Sequence, residues 1–428
     1  MESYNCPFPE DIITDILSRI PAVSLLSLKQ VCKTWRNLLI SPNFARIHLL
    51  RHLQSVDRDI HGDDTGSSKV SFLCFQRQLE NPYENSIYYR EYYDDKLQNL
   101  SKKKFRLNFA GFLVGSCNGL ICSSWDYRLY VDESISGRLY RLFIHVSVFN
   151  PITGEELSLP ELSILDNFVS NRLIFVSGFG YLPSTNEYKV VKIYYDATNP
   201  TRVGKVHVYT LGGENSSSNN SRQWRNKREI PYNFGHLNGV FINGALHWVE
   251  HNDGNRGRII AFDLAREEFF VVKSPPNFFE VSIANNYQLC LLGGCLGVYR
   301  KKGYNIRQNV RSWDIWVLKK TNKNMMSNVM EENEEYYDYS WNWVKIFSIE
   351  QAELSHHDCE PLAVTRSGDV VFKSCERSAL CIYDPKTATF RTLSCAISRD
   401  RREEPTSLFH HVNTFVSLKG MARELQET

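Results

Sequence analysis

Apolar residues recur at two spacings along this chain, and the spacing changes once. Up to about residue 45 they fall three and four apart; from residue 70 they alternate or run in short blocks. The first spacing predicts helices and the second strands. Pro9 followed by Glu10 and Asp11 is a helix start, because proline fits the first turn and acids suit the positive end of the helix dipole. Ile12 and Ile16 form one i,i+4 column, and Ile13 and Leu17 form the adjacent one. Pro21 ends this helix and opens a second through Leu25 and Leu26. The third is LKQVCKTWRNLL, residues 28–39, ending near Ser41 and Pro42. Leu28, Val31, Cys32, Trp35, Leu38 and Leu39 share its apolar stripe. Lys29, Lys33 and Arg36 stand opposite, where water or acids on a partner would meet them. Three helices this short bury too little for a secure core, so the segment needs a neighbouring domain or a partner.

Residues 54–68 are polar and read as linker. The expected boundaries are a helical module at 1–45, a linker at 46–69, a β domain at 70–420 and a tail at 421–428. Within the β domain, VSFLCF, YKVVKIYY, WDIWVL, FVSL and many similar runs read as strands. VSVFNPITGEELSLP at 146–160, IIAFDLAREEFFVVK at 259–273 and LCIYDPKTATFRTLS at 380–394 share one pattern. Each is a strand, then Asn or Asp, then a turn, then a second strand. Asn or Asp caps such a turn with its own side chain, and Gly or Asn supplies the positive φ. Before them stand NGLICSS, NGALHWV and SGDVVFK, each a glycine turn leading into a strand. A turn-and-strand unit reused along the chain is what propeller blades require. The number of blades stays open. VHVYTL with Trp224, and DIWVL with WNWVKIF, read as degenerate blades. Residues 214–222 and 319–340 read as solvated insertions.

Composition narrows the function. Aromatic residues make up 13% of the 428, which favours pleated surfaces. A net charge of +2 gives no reason to expect nucleic acid as a partner. The eleven cysteines include no paired CxxC motifs, so no structural zinc is expected. No secretory leader or apolar run long enough to span a membrane is evident, so reduced thiols in the cytoplasm or nucleus are expected.

Candidate chemistry is sparse. His356, His357, Asp358 and Cys359 are adjacent, and neighbours in an extended chain point to opposite faces. His410 and His411 are no better placed. Lys102, Lys103 and Lys104 read as a solvated edge, and GGCLG at 293–297 as a tight turn without phosphate-binding spacing. A hydrolase would need convergent acids or a base–nucleophile pair, and the sequence shows none with persuasive spacing. No catalytic residue, metal site or cofactor is expected. Trp248, Trp313, Trp316, Trp341 and Trp343 leave one alternative: a binding module for a glycan or small metabolite.

The run FPEDIITDILSRIPAVSLLSLKQVCKTWRNLLISPNF, Phe8 to Phe44, resembles the F-box, a helical module that docks on a Skp-type adaptor in cullin–RING ubiquitin ligases. It departs from the family pattern at Phe8 and Ile20, where leucine is usual. GSCNGLICSS, VFNPITGEELSLP, FGYLPSTNEYKVVKIY and FINGALHWV resemble the kelch-like F-box-associated domain of plant F-box proteins. The implied fold is mainly β, a three-helix F-box followed by a β-propeller-like domain. The implied function is substrate recognition for a Skp–cullin–F-box ligase, marking a target protein for ubiquitination and proteasomal degradation. The implied partners are the adaptor, cullin and RING subunits through it, and the target, with no nucleic acid and no membrane. Carried onto this sequence, the adaptor-binding residues are Phe8, Pro9, Ile12, Ile16, Leu17, Pro21, Leu25, Val31, Cys32, Lys33 and Trp35. Trp35 and Leu38 could instead tie the helices together.

Overall fold

The structure is a computed structural model. It describes residues 8–422 apart from 62–68, 79–83, 94–102, 109–111, 135–136, 167–172, 197–202, 214–222, 235–237, 251–257, 277–286, 306–309, 321–340, 352–358, 366, 375–379 and 394–402. Four helices come first: α1 Glu10–Leu17, α2 Ala22–Leu28, α3 Lys33–Leu39 and α4 Pro42–His61.

The fourth helix corrects the expected linker. Ser41 and Pro42 end one helix and start the next. The Ser41 Oγ accepts from the Phe44 amide at 3.2 Å, and Pro42 takes the first helical position. Phe44 and His48, with Ala45 and Leu49, then make two buried i,i+4 columns. The third helix is also shorter than its stripe. Cys32 is extended (φ −154°, ψ 167°), and its Sγ accepts from the Trp35 amide at 3.4 Å, so the helix begins at Lys33. Val31 lies in the turn before it.

Among the described residues, twenty-five strands form six antiparallel sheets. The first joins Lys69–Gln78, Glu84–Tyr93 and Lys103–Asn108, and the last strand of the chain, Glu403–His410, pairs with the first. The second holds Phe112–Cys117, Leu120–Ser134, Gly137–Asn150 and Glu155–Ser158, with Leu162–Asp166 on the far end of Gly137–Asn150. The third runs from Leu173–Leu182 to Arg225–Asn226. The fourth runs from Val240–Ile242 to Glu268–Val272, the fifth from Tyr287–Leu292 to Trp341–Gln351, and the sixth from Cys359–Val364 to Thr389–Leu393. Helices and the first three sheets form one compact unit, residues 1–230 with 400–428; the other three sheets form a second, residues 231–399. FVSL at 415–418 reads as a strand but is irregular, because its polar backbone is spent on side chains and turns rather than on a neighbouring strand.

The repeated turns explain the regularity. Asn150 Oδ1 accepts from the Ile152 and Thr153 amides (2.8 and 3.3 Å), and Asp263 Oδ1 from those of Ala265 and Arg266 (2.7 and 3.0 Å). Asp384 Oδ1 accepts from the Lys386 amide at 2.8 Å. Four residues after each cap the backbone turns left-handed, at Gly154 (φ 74°), Glu267 (φ 56°) and Ala388 (φ 53°). Asn118–Gly119 and Asn243–Gly244 take positive φ at both positions, the signature of a tight hairpin.

In the second unit the fifth sheet is buried on both faces. Trp316 and Leu318 pack with Ile242, Ala261 and Val298; Trp313, Ile315 and Val317 pack with Val370 and Phe372. Trp341 and Trp343 lie against the first of these clusters, and the Trp343 indole N–H donates to the Lys273 carbonyl at 2.6 Å. Trp248 stacks on Phe234 at 5.2 Å. The tryptophans that motivated a ligand pocket are packing residues between or within sheets.

Candidate functional site

The two columns of α1 have opposite fates. Ile13 and Leu17 are 4% and 1% exposed, whereas Ile12 and Ile16 are 44% and 53% exposed. Phe8, four residues before Ile12, is 61% exposed, and Val31 is 60% exposed. Pro9, Pro21 and Lys33 are also exposed; Cys32 and Trp35 are half-buried. Leu25 is fully buried. Leu17 and Leu25, grouped with the docking residues by resemblance, therefore sit inside the module and offer no surface. They hold the helices that present the others. Leu38 is buried and Trp35 packs against the same core, so both tie the helices together. Ile40 and Leu50 are further exposed apolar side chains that the sequence reading did not single out; Leu50 follows the buried Leu49 directly.

The core of the module is completed from elsewhere. Ile13, Leu17, Ala22, Leu25, Leu38, Leu39, Phe44 and Ala45 cluster with Ile152 and Phe415. Ile152 lies in the turn after the strand Gly137–Asn150, and Phe415 in the segment after the last strand. The Phe415 ring meets Phe44 edge-on at 6.2 Å and His48 at 5.9 Å. His48 also places Nε2 3.1 Å from the Ile20 carbonyl, and burial lowers its pKa. Lys29 is not simply in water: its Nζ lies 4.8 Å from the centre of the Phe415 ring, and burial lowers its pKa against an opposing pull from Glu155. Arg36 Nε donates to the Lys29 carbonyl at 3.2 Å. Asp15 pairs with Arg51 of α4 and with Arg19, and the Arg51 hydrogen bond holds its carboxyl below the usual range.

Residues 411–418 are strapped to the second sheet. The Asn150 amide donates to the carbonyls of Thr414 (3.0 Å) and Val416 (2.8 Å). Thr414 Oγ1 donates to the Asn118 carbonyl at 2.7 Å, and Glu155 accepts from the Leu418 amide at 2.6 Å. Gly119 has φ 82°, and a Cβ there would lie 2.8 Å from the Thr414 backbone nitrogen, so the hairpin needs glycine twice over.

The structure also assembles a serine–histidine pair that sequence spacing could not show. The Ser116 hydroxyl donates to His411 Nδ1 at 2.8 Å, and His411 Nε2 donates to Asn413 Oδ1 at 3.1 Å. A general base works best with a pKa near the operating pH. His411 is 1% exposed, and burial pushes its pKa down to about 3. It is a poor base: Nδ1 ties the strap to Ser116 of the second sheet, and Nε2 braces the strap internally on Asn413. His356, His357, Asp358 and Lys102 lie outside the described residues. Cys359 is fully buried. Gly293 and Gly294 (φ 53° and 70°) make the tight turn expected of GGCLG. Among the described residues no group of His, Cys, Asp or Glu could hold a metal, and no helix is long and apolar enough to cross a membrane.

Comparison with known families decides what the helices and sheets are. Residues 7–47 match the F-box domain family, and residues 65–418 match the F-box associated beta propeller domain family. The chain belongs to the plant F-box proteins with an F-box-associated propeller. It is similar to F-box protein At3g07870 of Arabidopsis thaliana, 29% identical over 336 residues, 73% of this chain and 69% of that protein. It is also similar to F-box protein CPR1 of the same plant, 24% identical over 412 residues, 91% of this chain and 86% of that one. A crystal structure of TolB from Acinetobacter baumannii overlaps at a TM-score of 0.38 with 11% identity, over 86% of this chain and 71% of TolB. In this F-box protein the module at the N-terminus implies a Skp-type adaptor as partner, and the two domains together support a general role in substrate recognition for a Skp–cullin–F-box ligase.

Proposed function

We propose that this F-box protein recruits one target protein to a Skp–cullin–F-box ubiquitin ligase, docking the adaptor through Phe8, Pro9, Ile12, Ile16, Pro21, Val31 and Lys33, with Cys32 and Trp35 at the edge. The observation that carries the reading is the second column of α1. Ile12 and Ile16 stay in water on a module whose core is already filled. An apolar helix face laid into a partner's groove is a common recognition mode, and each fully buried Ile or Val contributes about 1.5–3 kcal/mol. A few such anchors offset the cost of association, about 4–15 kcal/mol. The propeller then grips the target, and the complex acts by proximity: holding the target beside a charged ubiquitin donor raises its effective concentration. The chain itself performs no chemistry in this scheme, and it works in the cytoplasm or nucleus. Its buried free thiols, among them Cys117 and Cys122 with pKa values raised by burial, fit inert packing groups in a reducing compartment.

The test is co-purification with a Skp-type adaptor. Wild type is expected to capture it, and the double variant Ile12→Asp, Ile16→Asp is expected to lose it while keeping the wild-type thermal midpoint. Failure of the wild type to bind, or equal binding by the double variant, overturns the proposal.

A further inference from the structure

We infer that the strap 411–418 makes the folded F-box conditional on the second sheet, so that the docking surface exists only when the strap is in place. Three observations converge. The helical core contains Phe415, which sits against Phe44 and His48 and under Lys29. The strap that carries Phe415 is held by side chains of the second sheet: Asn150 on two carbonyls, Glu155 on the Leu418 amide, Ser116 on His411. The third is written in the repeat. Its two later copies cap the turn with Asp263 and Asp384, but the first uses Asn150. The oxygen alone suffices for the turn. Only the amide adds two N–H donors, and both are used on the strap. Asn150 is thus a positioning residue that acts on the helices through Thr414, Val416 and the phenylalanine between them.

The inference rests on the docking reading only where it speaks of the adaptor, and hydrogen exchange of the full chain separates the two. A ligand that binds one folded unit slows exchange at every amide that opens with that unit. Adaptor at 100 times its Kd is therefore expected to slow α1–α4 and the Val416 and Leu418 amides alike, by about 100-fold. Slowing in α1–α4 alone overturns the inference and leaves docking intact. Slowing in neither overturns docking, and the variants then decide. Asn150→Asp keeps the turn oxygen but sets a carboxylate against two carbonyls. It is expected to speed exchange in α1–α4 at least tenfold, with the third sheet unchanged. Phe415→Ala is expected to do the same and Phe415→Leu to do so less. Unchanged exchange in α1–α4, or equal acceleration in the third sheet, overturns the coupling.

Discussion

The three sheets of the second unit and the helical module of the first answer the same burial problem in opposite ways. The fifth sheet has both faces filled from within its unit: Trp313 and Trp316, three residues apart on one strand, serve two different cores. The module buries one column of α1, leaves the equally apolar neighbouring column in water, and takes two core residues from the sheet domain. A region that closes its own core is built to be stable, whereas one that keeps apolar surface open is built to be completed. Exposed apolar residues are ordinary when scattered, and informative when they recur at fixed spacing beside a filled core.

That contrast can be broken most forcefully from inside the module. Leu25→Ala removes a fully buried side chain and is expected to destabilise the first unit by about 2–5 kcal/mol in urea unfolding. An effect confined to the second unit would refute the core assignment. Next, Ile12→Asp with Ile16→Asp is expected to weaken adaptor binding about 100-fold or more while the urea midpoint stays put. A falling midpoint would mean that this column is core after all. The third test is pH. Burial lowers His247 in the second unit to about 4 and His411 in the first to about 3, so the folded state favours neutral imidazole. The unfolded chain takes up protons as pH drops below its own histidine pKa of 6.5. Stability is therefore complete above that value and is lost as pH falls towards 4 for His247 and 3 for His411. The slope is about 1.4 kcal/mol per pH unit for each histidine, or about 2 kcal/mol each at pH 5. His247→Gln should flatten the profile of the second unit only. The smallest effect concerns salt. Apolar docking is expected to keep its affinity within about twofold between 0.1 and 0.5 M NaCl, because screening acts on charges. A tenfold loss would shift the weight of recognition to Lys33 and its neighbours.

Much of this was readable in the order of residues, for reasons that are local. Pro9 and Pro21 sit at the N-caps of α1 and α2, where a fixed φ suits the entry to a helix. Asn150, Asp263 and Asp384 cap turns with their own side chains, so the repeat announces itself. Which column of α1 faces inwards was not readable: Ile12 and Ile16 look no different from Ile13 and Leu17 until Phe415 and Ile152 arrive from far along the chain. The fourth helix escaped notice because Ser41–Pro42 reads as a stop and serves as a start. The role of Lys29 depends on the same distant ring. FVSL escaped because its apolar pattern is that of a strand, while its partners are a side-chain amide and a carboxylate.

The strap also bears on inheritance. An F-box able to fold alone would let a prematurely stopped message yield a fragment that occupies adaptor without offering any target site, and one damaged allele could then poison the other. Here Phe415 belongs to the helical core, and a stop codon anywhere before it removes part of that core. On the inferred coupling, nonsense alleles that stop before Phe415 are expected to be recessive, with no half-made subunit competing for the adaptor.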